Sequence, residues 1–151
     1  MRRWLPTTAA AIGAERVGIR LSPYGVFNGI APYDGLEDDY VLLASHLSAL
    51  GLAYIHIVDH SSMGAPPLSP TIKQAIRRCF KQALILSGGY DLARAEHDLE
   101  AGFGDLVAFG RPFIANAKLV EKLQTGKSLR EPDPATFYTP GEPGYLDYPV
   151  D

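Results

Sequence analysis

Ala83-Leu84-Ile85-Leu86-Ser87-Gly88-Gly89-Tyr90-Asp91 is an apolar run of strand length that stops at two glycines, and Leu106-Val107-Ala108-Phe109-Gly110-Arg111 repeats the pattern fifteen positions after Asp91. Between the two, Asp91 stands where a helix N-cap belongs, and Leu92, Ala95 and Leu99 recur at helical spacing before Gly102. A strand, a turn, a helix and a second strand in that order make a β-α-β unit, whose two strands run parallel.

The same alternation extends toward the N-terminus. Ala53-Tyr54-Ile55-His56-Ile57-Val58 is nearly all apolar or β-branched, as suits a parallel strand covered on both faces. The loop Asp59-His60-Ser61-Ser62-Met63-Gly64-Ala65-Pro66-Pro67 follows, and Ser69-Pro70 then opens a helix with Ile72, Ile76, Cys79 and Phe80 as its inner stripe. Further upstream, Arg16-Val17-Gly18-Ile19-Arg20-Leu21 is a strand stopped by Ser22-Pro23, because proline cannot donate into a sheet ladder. A glycine-rich loop leads to a helix over Leu36 to Leu50, with Tyr40, Leu43, Leu47 and Leu50 as its stripe and Gly51 as its C-terminal cap. Toward the C-terminus a short helical stretch around Lys118 to Leu123 precedes an irregular tail over residues 130–151, with five prolines from Pro132 to Pro149. The four strands and their helices read as α/β, in a single domain or part of one over residues 1–151, with residues 1–10 an atypical start.

Composition excludes several classes. With 46% hydrophobic and 21% charged residues the chain is globular in type, and a net charge of −3 without a basic block argues against nucleic-acid binding. No apolar run approaches the roughly 18 residues needed to cross a bilayer. Met1-Arg2-Arg3-Trp4 is briefly basic but is followed by no sustained apolar core, so no export signal is expected. Cys79, the only cysteine, cannot form an internal disulfide, and a reducing, cytoplasmic setting fits it.

The chemically distinctive residues share one rim. Arg20, Asp59-His60, Gly88-Gly89 and Gly110-Arg111 all fall at the C-terminal ends of strands, where parallel α/β folds bind ligands. Glycine pairs there let backbone N–H groups approach an anion, and Arg111 adds a guanidinium able to grip phosphate. The alternative is that both glycine sites serve only strand-to-helix turns. Arg20 ends an apolar strand and needs an anion or an internal partner, for which Asp34, Glu37 and Asp59 are available. His60 is a possible base but reads as solvated, His56 as a hydrogen-bonded sheet residue, and His46 and His97 as helix-surface residues. No spacing suggests a metal site or a Ser-His-Asp arrangement.

Three motifs carry a family resemblance: Arg16-Val17-Gly18-Ile19-Arg20-Leu21-Ser22-Pro23, Ile85-Leu86-Ser87-Gly88-Gly89-Tyr90, and Val107-Ala108-Phe109-Gly110-Arg111-Pro112-Phe113-Ile114-Ala115-Asn116. In order and spacing they resemble the old yellow enzyme family of FMN-dependent ene-reductases, and the likeness continues through Thr136-Phe137-Tyr138 and Gly144-Tyr145-Leu146-Asp147-Tyr148-Pro149. The resemblance implies a TIM (β/α)8 barrel that binds FMN at its C-terminal rim, takes hydride from NADH or NADPH and passes it to an activated alkene such as an enone. It gives Arg20 the pyrimidine edge of the flavin and gives Gly88, Gly89, Gly110 and Arg111 the FMN phosphate. Phe137 lies near the flavin and Tyr138 near the substrate mouth on the same implication.

Such a barrel takes about 250 residues. The chain therefore resembles its C-terminal half, strands five to eight, and the family's substrate-carbonyl pair and proton-donating Tyr have no counterpart here. Ala117 stands where the family commonly has proline. A half-barrel has two unpaired edges, so a homodimer or a complementing N-terminal half-barrel is the expected partner. Two other readings stay open: a non-catalytic half-barrel acting as an assembly partner or pseudoenzyme, and a small flavodoxin-like phosphate binder built on an open sheet.

Overall fold

The structure is a computed structural model that describes residues 4–27 and 29–150. Residues 1–3, which include the basic start, lie outside the described residues. The chain forms two compact units, Met1–Ala108 and Phe109–Asp151.

The first unit holds four strands: β1 (Gly18–Leu21), β2 (Tyr54–Val58), β3 (Ala83–Ser87) and β4 (Leu106–Ala108). They form one parallel sheet in the order β1-β2-β3-β4, with Arg20 level with His56, Ile85 level with His56 on the other side, and Leu106 level with Ile85. Every crossover thus steps in the same direction. Right-handed connections then put all the helices on one face of the sheet, the singly wound pattern of a (β/α)8 barrel. A flavodoxin-like sheet reverses direction at a switch point, so the open-sheet reading does not hold.

The helices of this unit are α1 (Trp4–Ile12), α2 (Leu36–Leu50), α3 (Pro70–Cys79) and α4 (Leu92–Glu100). Local chemistry sets their ends. Gly51 adopts the left-handed conformation, with φ 76°, and closes α2. Ser69 Oγ accepts from the Ile72 N–H at 3.3 Å, and the Asp91 carboxylate accepts from the Arg94 N–H at 2.8 Å, so both expected N-caps are in place. The periodicity is less exact in α4. Ala95 and Asp98 are buried, whereas Leu92 and Leu99 stand outside, at 37% and 38% exposure. A charge displaces the expected leucine stripe because Asp98 finds buried partners, described below. Helix α1 was not anticipated by the sequence reading, and β1 is two residues shorter than expected at its start.

Alternation along the strands separates two faces. Ile55, Ile57, Leu84 and Leu86 are 0–1% exposed and, with Ala44, Leu47, Ile72 and Ile76 of the helices, make the core. The opposite face carries Gly18, Arg20, Tyr54, His56, Ile85 and Leu106. There Tyr54 is 40% and Leu106 55% exposed, and the Tyr54 ring lies where a side chain on Gly18 would stand. The expectation that β2 is covered on both faces therefore fails among the described residues.

The second unit contains α5 (Arg111–Ala115), α6 (Leu119–Thr125) and a 3-10 turn at Pro134–Thr136. Its centre is Asn116, fully buried, whose Nδ2 donates to the carbonyls of Pro112 and Arg130 and whose Oδ1 accepts from the Arg130 N–H and from Lys122 Nζ. One amide thus ties helix α5 to the segment after α6. This gives the Ile114-Ala115-Asn116 motif a structural reason.

Candidate functional site

In the first unit the C-terminal ends of the strands carry the rim. Arg20 and His56 share the open face of the sheet, and Arg20 together with burial lowers the pKa of the His56 imidazole, burial being the larger cause. His56 Nε2 lies 2.8 Å from Ser87 Oγ, whose hydroxyl also reaches the Ile57 carbonyl, so His56 is the hydrogen-bonded sheet residue expected.

Arg20 itself is exposed. None of its three expected partners takes it: Glu37 accepts from the Tyr24 hydroxyl, Asp59 pairs with Arg94, and Asp34 makes no ion pair among the described residues. Burial and the Glu37 carboxylate push the Tyr24 phenol up to about 12. Arg20 instead lines a cavity of about 360 Å³ with Ser22, Gly25, Phe27, Ile30, Val58 and His60. His60 is not simply solvated: its Nδ1 is buried without a hydrogen-bond partner, and its ring meets Phe27 edge-on at 5.2 Å.

Gly88 and Gly89 form the turn after β3, with φ 114° and 63°, values that side chains adopt only under strain. A Cβ on Gly88 would lie 1.9 Å from the Asp59 carbonyl oxygen, and one on Gly89 would lie 3.1 Å from Ser62 Cβ. Packing of two loops therefore accounts for glycine at position 88. The turn also leaves the N–H groups of Gly89 and Tyr90 without an acceptor among the described residues. The N-terminus of α4 is less available, since Asp91 already caps it with a carboxylate.

Behind this turn lies an ionic network that the sequence reading missed. Lys73 Nζ and Asp98 Oδ2 meet at 2.7 Å with both side chains 5% exposed, and the Tyr90 hydroxyl donates to the same oxygen at 2.6 Å. Burial alone would raise the Asp98 carboxyl, but hydrogen bonds from Lys73, Tyr90 and His97 outweigh it and hold the group below the usual carboxylate range. Arg94 donates through Nη2 to Asp59 Oδ2 at 2.6 Å and through Nη1 to the Gly88 carbonyl at 3.0 Å, with its guanidinium 4.2 Å from the Tyr90 ring centre. Burial likewise opposes ionisation of Asp59, and the Ser61 and Arg94 bonds reverse the shift, leaving its pKa lowered. The partners are separated by 25 and 35 positions, so no local pattern announces them. Only a lysine and an aspartate on the buried sides of α3 and α4 hint at the first pair.

In the second unit Gly110 precedes α5, and a Cβ built there meets nothing within 4 Å. Arg111 follows as the first helical residue, exposed and without an ion pair or hydrogen bond among the described residues. Phe137 is half-buried and Tyr138 is 98% exposed, the two rings standing edge to face at 6.5 Å.

A singly wound βα sheet with a cationic, glycine-lined C-terminal rim is a segment of a (β/α)8-type barrel whose rim suits an anionic ligand. Residues 5–130 match the NADH:flavin oxidoreductase / NADH oxidase family, and the chain belongs to that family, the old yellow enzymes. A probable flavin mononucleotide-dependent alkene reductase of Leishmania infantum is 37% identical over 147 residues, covering 96% of this chain and 39% of its own length. A 12-oxophytodienoate reductase-like protein of Solanum lycopersicum is 35% identical, covering 93% of this chain and 38% of its own length. Morphinone reductase, solved in complex with tetrahydroNAD, superposes with a TM-score of 0.86 at 41% identity over 97% of this chain and 39% of its own. The chain thus spans about two fifths of the length of the relatives it matches, and the observed sheet is the C-terminal half-barrel of the family's (β/α)8 fold. FMN with a nicotinamide reductant is the cofactor set of the family.

Proposed function

We propose that the chain is the FMN-phosphate-binding portion of an NAD(P)H-dependent alkene reductase, built on one FMN-binding barrel domain that includes all of residues 1–151. The observation that carries this is the Gly88–Tyr90 turn, which presents unpaired backbone donors at the strand rim where Arg20 stands without an internal anion. Both features fit a phosphorylated, electron-rich ring system: neutral donors for the phosphate, a fixed cation for the ring. When bound, FMN supplies hydride transfer from NADH or NADPH to an activated alkene such as an enone.

The chain's own residues then bind and orient. Gly88 and Gly89 hold the phosphate through backbone N–H groups, and the resemblance gives Gly110 and Arg111 the same partner. Arg20 places a positive charge at the pyrimidine edge, where it favours the reduced, more anionic ring. The resemblance gives Phe137 the flavin and Tyr138 the substrate mouth. Relatives named as reductases favour this reading over a non-catalytic assembly partner. The open face and the two edge strands, β1 and β4, are the surfaces on which an N-terminal half-barrel or a second copy closes the sheet. A cytoplasmic setting accords with the free thiol of Cys79; among the described residues no helix is long and apolar enough to cross a membrane.

The test is titration of the chain with FMN by flavin fluorescence, with light scattering on the same sample. Tight binding, weakened by about 1.5–3 kcal/mol in Arg111→Ala as for loss of a charge-assisted hydrogen bond, is the expected outcome. Affinity unchanged in Arg111→Ala removes that residue from the site; no binding by a monomer places the cofactor site in the assembled barrel alone.

A further inference from the structure

Glycine pairs are poor at holding a peptide in one orientation. A peptide unit flanked by glycines flips at little steric cost, because neither residue carries a Cβ to oppose either value of φ. The Gly88-Gly89 peptide is of this kind. Its two polar groups are planar and trans, so the Gly88 carbonyl and the Gly89 N–H point in opposite directions. Whichever side the carbonyl faces, the donor faces the other.

The structure fixes that choice through one side chain. Arg94 Nη1 donates to the Gly88 carbonyl at 3.0 Å while Nη2 of the same guanidinium holds Asp59 Oδ2 at 2.6 Å. Asp59 is 2% exposed and is itself anchored twice, its carboxylate accepting from the Ser61 N–H at 2.8 Å and its own N–H donating to the Ser87 carbonyl at 2.8 Å. The guanidinium face rests 4.2 Å from the centre of the Tyr90 ring, and the Tyr90 hydroxyl is tied to buried Asp98 at 2.6 Å. Arg94 is therefore held by groups that are themselves buried and hydrogen-bonded, and it holds in turn the one carbonyl whose direction decides where the Gly89 N–H points. A flipped peptide would turn the carbonyl dipole toward an anion at the rim and lose the charge-assisted bond to Arg94.

We infer that Arg94 is the positioning residue of the anion-binding turn: by clamping the Gly88 carbonyl to the Asp59 carboxylate it keeps the Gly89 N–H directed to the phosphate side. The inference rests on the reading of Gly88 and Gly89 as the FMN phosphate site. Arg94 acts through the peptide and not by contact with the ligand, so its loss costs the phosphate contribution to binding and leaves the ring contribution intact.

Riboflavin, which lacks the phosphate, separates the two. Dissociation constants for FMN and riboflavin are measured by flavin fluorescence on the 151-residue chain and on Arg94→Lys, which retains a cation for Asp59 but lacks the planar fork needed to reach both oxygens. The expected result is a preference for FMN over riboflavin in the parent chain that falls at least tenfold in Arg94→Lys, with riboflavin affinity changed less than twofold. The double variant Arg94→Gln, Asp59→Asn removes both charges together and leaves no buried carboxylate unpaired; its FMN preference falls by the same factor. An unchanged preference in Arg94→Lys overturns the positioning role while leaving the phosphate site standing. Equal loss of FMN and riboflavin overturns it too, since that is what general destabilisation would give. A parent chain that does not prefer FMN overturns the phosphate reading itself, and the inference with it.

Discussion

The two faces of the same four-stranded sheet differ more than any two regions of the first unit. On one, Ile55, Ile57, Leu84 and Leu86 are sealed to 0–1% exposure; on the other, Arg20, Tyr54, His56 and Leu106 stand half-covered or open. Both faces are drawn from the same short runs of sequence, alternating residue by residue. The buried face is aliphatic without exception and specifies the fold. The open face mixes a cation, an imidazole, a phenol and a leucine, a composition that suits neither plain solvent nor a plain core. That is what the interior and rim of a ligand-binding barrel need.

The largest expected effect tests how the buried side tolerates charge. Lys73 and Asp98 face each other at 2.7 Å with both side chains 5% exposed, so truncating the lysine strands a carboxylate in the interior. Lys73→Ala is expected to cost about 3–5 kcal/mol, and Lys73→Met with Asp98→Asn far less, because the double change removes the charge together with its partner. Urea unfolding of the parent and the two variants measures this. A Lys73→Ala midpoint equal to that of the parent would mean that the pair is solvated and that the two sides of the unit are electrostatically alike.

A leucine pair sharpens the same contrast with no charge involved. Leu84 in β3 is fully buried and Leu106 in β4 is 55% exposed. Leu84→Ala is expected to cost about 2–5 kcal/mol from lost transfer energy and the cavity left behind. Leu106→Ala should cost under about 1 kcal/mol in the isolated chain. The second value is diagnostic: if it rises to match the first when the chain is assembled with a complementing half-barrel or a second copy, Leu106 has become core. Equal costs in the monomer would show the open face already covered.

How much of this was legible beforehand follows from range in sequence. The strands, the α2 and α3 helices, the Ser69 and Asp91 caps and the Gly51 stop are encoded by neighbours within four residues, and they appear where composition puts them. The family motifs single out Arg20, Gly88, Gly89, Gly110 and Arg111 as candidates because they are contiguous strings. What was illegible depends on partners far apart. Leu92, Ala95 and Leu99 look like a stripe, yet Asp98 is the buried residue because Lys73, 25 positions away, neutralises it. Arg94 looks like a solvent-facing helix residue until Asp59, 35 positions earlier, comes to meet it. His60 looks solvated until Phe27 closes over one edge of its ring. Pairing across loops overrode the local pattern each time.

The smallest effect probes the open face through its imidazole. Burial, and secondarily the positive charge of Arg20, lowers the pKa of His56 below its ordinary value near 6.5. Arg20→Gln removes the second cause, so the His56 resonances should titrate at a higher pH than in the parent, by NMR, with the remaining depression due to burial. The sign carries to stability. A histidine whose folded pKa lies below its unfolded one contributes stability that is present above the unfolded value and is lost as pH falls toward the folded one. The parent chain should therefore lose stability as pH falls below the ordinary imidazole value of about 6.5, and Arg20→Gln should lose less over the same range. If His56 titrates identically in both, Arg20 sits too far into solvent to act across the sheet. The open face would then be a set of independent residues and not a common electrostatic surface. If the pKa moves as expected, a partner that covers this face must bring an anion for Arg20 or raise the cost of protonating His56 further. An electron-rich, anionic ring against Arg20 and an apolar half-barrel surface against His56 would then shift the His56 titration in opposite directions.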